Sequence, residues 1–144
     1  MTTVAFDGKT FVSDTRMVAE YYTDGSCRKI FDIGNFVVGI AGEYSQCLLF
    51  VEEFKNSGTD FNKAFPMSPV SGMTSMIYNK SNKKLYRYEG SGLPMIVKPP
   101  YAIGSGAAFA IGAMKFGASA EEAVKIAIKF DINSGLPLNK IEIK

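Results

Sequence analysis

Apolar positions change their period along this chain. At first they fall in short runs. Thr3-Val4-Ala5-Phe6 and Thr10-Phe11-Val12-Ser13 flank Asp7-Gly8, a tight-turn dipeptide, and predict two strands. Met17–Tyr22, closed by Asp24-Gly25, then Cys27–Ile33 and Phe36–Ala41 on either side of Gly34-Asn35, continue the series. Short β-prone runs at this spacing predict a mostly antiparallel sheet. From Glu43 to Asn56 the spacing becomes helical: Tyr44, Cys47, Leu48, Val51 and Phe54 share a face, and Gly58 stands where a C-terminal cap belongs. Pro66 and Pro69 make Thr59–Val70 irregular, with one short helical turn at most near Phe61–Ala64. Thr74–Asn79 and Lys84–Tyr88 flank Lys80-Ser81-Asn82-Lys83 as a hairpin, and Pro94–Ile103 reads as broken strand. Ala107–Phe116 is an almost wholly apolar helix, predicted to be buried on most sides and ended by Gly117. Ser119-Ala120-Glu121-Glu122 is a capping box. It opens a helix that runs to about Phe130 with an apolar stripe of Ala123, Val124, Ile126, Ala127 and Phe130. Lys140–Lys144 alternates like an edge strand. Strands, helix, strands, two helices, strand: that order predicts an α+β fold in which helices cover two sheets packed face to face.

Composition narrows the chemistry. The 144 residues fit one domain, 1–144, large enough to bury ~70% of the unfolded chain's surface. A net charge of +2 gives no argument for a nucleic-acid or membrane partner. No apolar run approaches the ~18 residues of a membrane span, and no basic region precedes an apolar stretch at the N-terminus as in a secretory signal. The 2 cysteines, Cys27 and Cys47, form neither a CxxC pair nor a dense framework, so a reduced cytoplasmic setting is expected. There is no histidine, which excludes Ser-His-Asp and Cys-His catalysis and every His-ligated metal site. An enzyme built on this chain moves protons with a carboxylate, a lysine, a tyrosine or a backbone terminus. Its nucleophiles include Ser or Thr activated by a lysine or by the N-terminal amine.

Thr2 meets that requirement. Methionine aminopeptidases remove Met1 when the next residue is small, and threonine qualifies. The exposed residue would carry hydroxyl and α-amine together, and an α-amine's reference pKa of ~7.7–8.0 suits a general base. While Met1 stays attached, that nitrogen is an amide and no base.

The residues that follow carry a resemblance. Thr2-Thr3-Val4-Ala5, Ser13-Asp14-Thr15-Arg16, Arg28-Lys29-Ile30, Gly39-Ile40-Ala41-Gly42, Ala102-Ile103-Gly104-Ser105-Gly106 and Asp131-Ile132-Asn133-Ser134-Gly135 occur in this order, with strands and helices correctly placed between them. Each segment is weak alone; a strand lysine, a turn aspartate or a helix-capping serine is ordinary. Together they resemble the catalytic subunits of the proteasome and of HslV, both N-terminal-nucleophile hydrolases. The resemblance covers most of the chain. It implies a four-layer αββα sandwich with a shortened first helical layer, since Thr59–Val70 leaves little room for a second helix there.

The resemblance also implies roles. Thr2 is the nucleophile. Lys29 lowers the pKa of its hydroxyl, and Asp14 keeps Lys29 charged and oriented. The Gly42 N–H donates to the oxyanion. Ser105, Asp131 and Ser134 support the α-amine. Met17, Ala19, Tyr21, Cys27 and Phe31 are candidates for lining a substrate pocket. Peptide hydrolysis needs no cofactor; as in HslV, the backbone carbonyls of Phe130, Asn133 and Leu136 are candidate ligands of a structural sodium ion. Polypeptide substrates, a homo-oligomer of stacked rings and an ATPase unfoldase are the implied partners, with Ala107–Phe116 and its neighbouring helix as the packing surface between rings. A non-catalytic ring or scaffold subunit and a small-amide amidase are the alternatives. Retention of Thr2, Asp14, Lys29 and Asp131 together argues against the scaffold. The amidases more often begin with Cys or Ser.

Overall fold

A computed structural model describes residues 2–19, 22–56, 72–89 and 93–144. The first strands are β1 (Val4–Phe6), β2 (Thr10–Ser13), β3 (Arg16–Ala19), β4 (Tyr22–Ser26), β5 (Ile30–Ile33) and β6 (Phe36–Gly42). Helix α1 (Tyr44–Asn56) follows, then β7 (Met73–Asn79), β8 (Lys84–Glu89), β9 (Met95–Val97) and β10 (Tyr101–Ile103). Helices α2 (Ala107–Lys115) and α3 (Ala120–Phe130) precede the last strand, β11 (Asn139–Glu142). All pairings are antiparallel, as the period-2 runs predict, but they divide into two larger sheets and a hairpin. One sheet runs β10-β1-β2-β11, the other β5-β6-β7-β8-β9, and β3 pairs with β4 apart from both. The segment read as broken strand is thus two strands, with β9 joining one sheet and β10 the other.

Among the described residues, three apolar clusters join the sheets and helices. Cys47, Phe50, Val51 and Phe54 of α1 pack on Phe36, Val38, Ile40 and Ile77 of the five-stranded sheet. Val4, Phe6 and Phe11 of the first sheet meet Val37, Met76 and Leu85 of the second. Ala5, Val12 and Ala102, on the other face of the first sheet, meet Ala110, Met114, Ala123, Val124 and Ala127 of α2 and α3. Alternation explains the division: Val4 and Phe6 point one way and Ala5 the other, as period 2 requires. The small residues between sheet and helices let α2 and α3 lie close to β1, which places the start of the chain beside both helix ends.

Several expectations change. Tyr22–Ser26 is a strand that contains Asp24-Gly25, so that dipeptide does not end the third strand; β3 and β4 fold back on each other with a register shift between Arg16 and Val18. On α1, Phe50 is buried and Leu48 exposed, a modest rotation of the predicted face. Helix α2 buries only Ala110 and Met114 among its residues, while Phe109 is 43% exposed and Phe116, just beyond it, 97%. Its apolar sequence therefore does not measure its burial within one chain, because only the side toward α3 and the sheet is covered. Ile126 and Phe130, predicted in the α3 stripe, are also exposed. The cap of α3 is as read: Ser119 Oγ accepts from the Glu122 N–H, and Glu122 Oε1 accepts from the Ser119 N–H. Asp7 Oδ2 adds a tertiary cap, accepting from the Ala120 N–H at 3.0 Å, while Oδ1 holds the β1–β2 turn. Gly58 and Thr59–Val70, where a cap and an irregular stretch were expected, lie outside the described residues. Among the described residues no helix is long and apolar enough to cross a membrane.

Candidate active site

The site is built around the first residues of the chain. Thr2 is 3% exposed and leads directly into β1. Its N–H donates to Ser105 Oγ at 3.0 Å, and its carbonyl accepts from the Gly106 N–H at 3.1 Å. The Gly-Ser-Gly segment between β10 and α2 owes its composition to this approach. Gly104 has φ +99°, a left-handed value that glycine tolerates, and a Cβ there would collide with the Thr2 carbonyl. A Cβ on Gly106 would strike Thr3 Oγ1. Ser105, held between these two glycines, is left as the side chain that meets the Thr2 nitrogen.

Behind Ser105 stands Asp131, at the C-terminal end of α3. Ser105 Oγ and Ser134 Oγ each donate to Asp131 Oδ2 at 2.6 Å, and the Asn133 N–H donates to Oδ1 at 3.1 Å. Since Ser134 commits its proton to Asp131, its 2.8 Å contact with Thr3 Oγ1 makes Thr3 the donor. Burial works to raise the Asp131 pKa, but the hydrogen bonds from Ser105, Ser134 and Asn133 outweigh it and hold the carboxyl below its usual range. Thr2 N, Ser105 Oγ and Asp131 Oδ2 thus form one hydrogen-bonded line.

A second line starts from Asp14, which is fully buried after β2. Its Oδ1 accepts from the Thr3 N–H at 3.0 Å and from Lys29 Nζ at 3.0 Å. Its Oδ2 accepts from Lys29 Nζ and from the Arg16 and Gly135 N–H groups. Lys29 Nζ also donates to the Arg16 carbonyl at 2.7 Å. A buried carboxylate is tolerable only when its lone pairs are this fully used. Lys29 is 3% exposed and lies immediately before β5, its carbonyl still in register with the Ile40 N–H. The aspartate and serine-glycine segments lock together: the Thr15 N–H donates to the Gly135 carbonyl, Thr15 Oγ1 to the Pro137 carbonyl and Arg16 Nη1 to the Ile132 carbonyl.

Thr2, Lys29 and Gly42 line one cavity of about 400 Å³. Gly42 closes β6 with φ +121°, and a Cβ there would meet the Gly72 carbonyl. Met17 and Cys27 line this cavity as anticipated, together with Tyr44 and Cys47. Phe31 does not: it packs against the α1 cluster, because its place on β5 points it to the helix side. The Ala19 side chain and Tyr21 lie outside the described residues. Burial, then the neighbouring Cys27 and Glu43, push the Cys47 thiol up to about 12, and burial raises Cys27, so neither thiol is primed as a nucleophile. Thr3, Thr15 and Tyr44 were missed by sequence reasoning. Their contacts join segments far apart in the chain, and only the repeated Thr-Thr at the start could have hinted at Thr3.

The expected cation ligands sit where α3 ends. Among the described residues no hydrogen bond reaches the carbonyls of Phe130, Asn133 or Leu136, while those of Asp131, Ile132, Gly135 and Pro137 are used by the fold. Unused carbonyl oxygens are the donor type a hard cation takes. Among the described residues no group of three or more Cys, Asp or Glu side chains could hold a metal ion.

No family model and no curated protein matches the sequence. Solved structures do. HslV from Trypanosoma brucei is 19% identical, with a TM-score of 0.76, over 98% of this chain and 97% of that one. BPH of Thiobacillus denitrificans is 20% identical, with a TM-score of 0.73, over 99% of this chain and 98% of that one. The chain has the HslV fold. The same Thiobacillus protein, in a structure in complex with epoxomicin, matches at 20% identity and a TM-score of 0.73 over 100% of both chains. The likeness to HslV carried by the motifs is therefore borne out in three dimensions, along nearly the whole chain. Within the HslV fold, the motif residues from six separate stretches of sequence gather around Thr2.

Proposed function

We propose that this chain is a threonine-type endopeptidase subunit of a self-compartmentalising protease, active once Met1 is removed. One observation carries the reading: Thr2, buried, stands between the Ser105–Asp131 line at its nitrogen and Lys29, which lines the same cavity and is paired with Asp14 behind it. Such an arrangement suits a residue that is both nucleophile and base. The Thr2 hydroxyl attacks the scissile carbonyl and its proton passes to the α-amine. The new oxyanion takes a hydrogen bond from the Gly42 N–H, a contribution of ~3–4 kcal/mol in comparable sites. The amine returns the proton to the departing nitrogen as the C–N bond breaks, leaving an ester on Thr2. Water adds to the ester by the same route and frees the acid. Lys29, oriented by Asp14, favours the alkoxide through its positive charge. Ser105, Asp131 and Ser134 hold the amine in place. The carbonyls of Phe130, Asn133 and Leu136 suit a sodium ion that would brace the loop carrying Ser134.

The same reading takes the apolar clusters as interfaces of a four-layer αββα sandwich whose first helical layer is reduced. It takes the exposed side of α2 and α3, where Phe109 and Phe130 stack at 5.4 Å and Phe116 and Ile132 lie open, as the packing surface between stacked rings of a homo-oligomer in the cytoplasm. Light scattering should give a mass many times that of the chain; a stable monomer removes the chamber and, with it, docking of an ATPase unfoldase. The direct test is the epoxyketone epoxomicin. The Thr2 hydroxyl adds to the ketone and the α-amine opens the epoxide, closing a morpholine ring that needs both groups on one residue. Intact mass should rise by one inhibitor at Thr2 in Met1-free protein and not in protein retaining Met1. Met1-free protein that takes no adduct overturns the assignment and leaves the non-catalytic subunit.

A further inference from the structure

We propose that a second cavity beside the site receives the departing half of the peptide and that Arg87 selects a carboxylate there. This rests on the peptidase reading. The cavity, of about 300 Å³, shares Ala41, Gly42 and Gly72 with the first, so the two flank the proposed oxyanion donor. Thr74 and Arg87 of one sheet, Ala102 and Ile103 of β10 in the other, and Gly104 and Ala107 beyond it complete the lining. Such a volume accommodates one or two side chains.

Chemistry gives the direction. The amine that takes the hydroxyl's proton must hand it to the departing nitrogen, so the departing half lies on the amine's side of Thr2. The Thr2 nitrogen meets Ser105, whose neighbour Gly104 lines the second cavity and not the first. The acyl half is left with the cavity of Met17 and Cys27.

Arg87 is the charged residue in the lining among the described residues. On β8 it stands two positions from Leu85, which packs between the sheets, and so it faces the same gap. Its Nη1 donates to Tyr101 Oη and its Nη2 to Glu89 Oε1, both at 2.8 Å, and its buried Nε has no hydrogen-bond partner among the described residues. Glu89 is half exposed, and its carboxylate is the group a substrate carboxylate would replace or share.

The test compares quenched peptides, amidated at the C-terminus, with Glu or Gln at the first or second position after the scissile bond. A further arm ends at that position with its carboxylate unamidated and separates a side-chain from a chain-terminal source. In the Met1-free protein the carboxylate peptide should be favoured about fivefold in kcat/KM. The Glu-to-Gln ratio should fall to about one in Arg87→Met, drop below one in Arg87→Glu and survive in part in Arg87→Lys, which keeps the charge should the others fold poorly. A ratio near one in the wild type, or one that survives Arg87→Met, overturns the proposal. Anisotropy of the labelled peptides on Thr2→Ala measures the preference without turnover. A carboxylate preference there that needs Arg87, with no cleavage by the wild type, sinks the peptidase reading and keeps the anion site. No preference in binding overturns the anion site whatever the turnover.

Discussion

Thr2→Ala should abolish peptide hydrolysis while leaving the fold in place. The loss expected for removing a nucleophile is on the order of 10⁴-fold or more in kcat, because Thr2 is the residue whose hydroxyl and α-amine would act together. Stability should change little. The bonds that anchor this residue to Ser105 and Gly106 use its backbone N–H and carbonyl, which alanine keeps. Alanine is also small enough for Met1 to be trimmed, so the amine is present and only the hydroxyl is missing. Intact mass checks the trimming, a thermal melt the fold and a fluorogenic peptide the activity. Thr2→Ser should retain turnover. An alanine variant that cleaves peptides as fast as the wild type would mean another nucleophile.

Lys29→Met should lose activity and stability together. Methionine keeps the length of the stem but removes the ammonium that makes two contacts with Asp14 and one with the Arg16 carbonyl. Removing one partner of a buried ion pair costs about 3–5 kcal/mol. Here the N–H groups of Thr3, Arg16 and Gly135 still hold Asp14, so the lower end is expected. The activity loss should exceed what the stability change explains, since the ammonium is also the charge that favours the Thr2 alkoxide. Peptide turnover measured well below the melting temperature separates the two effects. The double variant Lys29→Met, Asp14→Asn should recover part of the stability, because the charge is gone but the amide NH2 faces a backbone N–H where a carboxylate oxygen accepted, and no activity. Recovery of turnover in that double variant would show that Lys29 serves only to neutralise Asp14.

Local signals in the sequence were read correctly where one element decides the outcome. The Ser119–Glu122 cap, the hairpin through Lys80–Lys83 and the alternation of β1 and β2 depend on neighbours in the chain. Readings of burial failed at the helices. Phe109, Phe116, Ile126 and Phe130 are apolar by sequence and exposed by structure, because an apolar run does not record which of its sides the rest of the chain covers. The hairpin of β3 and β4 was missed for another reason: a Gly with positive φ, as at Gly25, occurs within an irregular strand as well as between strands.

Two properties were legible from the chain alone. The lack of histidine, beside a threonine at position 2, limited which kinds of nucleophile and base remain. The spacing of glycines, serines and acids around predicted strand and helix ends pointed to the HslV likeness. Tertiary structure alone decided why those residues are needed. Gly104 and Gly106 are glycines because Thr2 and Thr3 pass against them, Asp14 tolerates burial because the backbone N–H groups of Thr3, Arg16 and Gly135 and the Lys29 ammonium converge on it, and Arg87 lines the second cavity because two sheets stack. Close approach and convergence are properties of space, and a one-dimensional pattern records only the residue types that permit them.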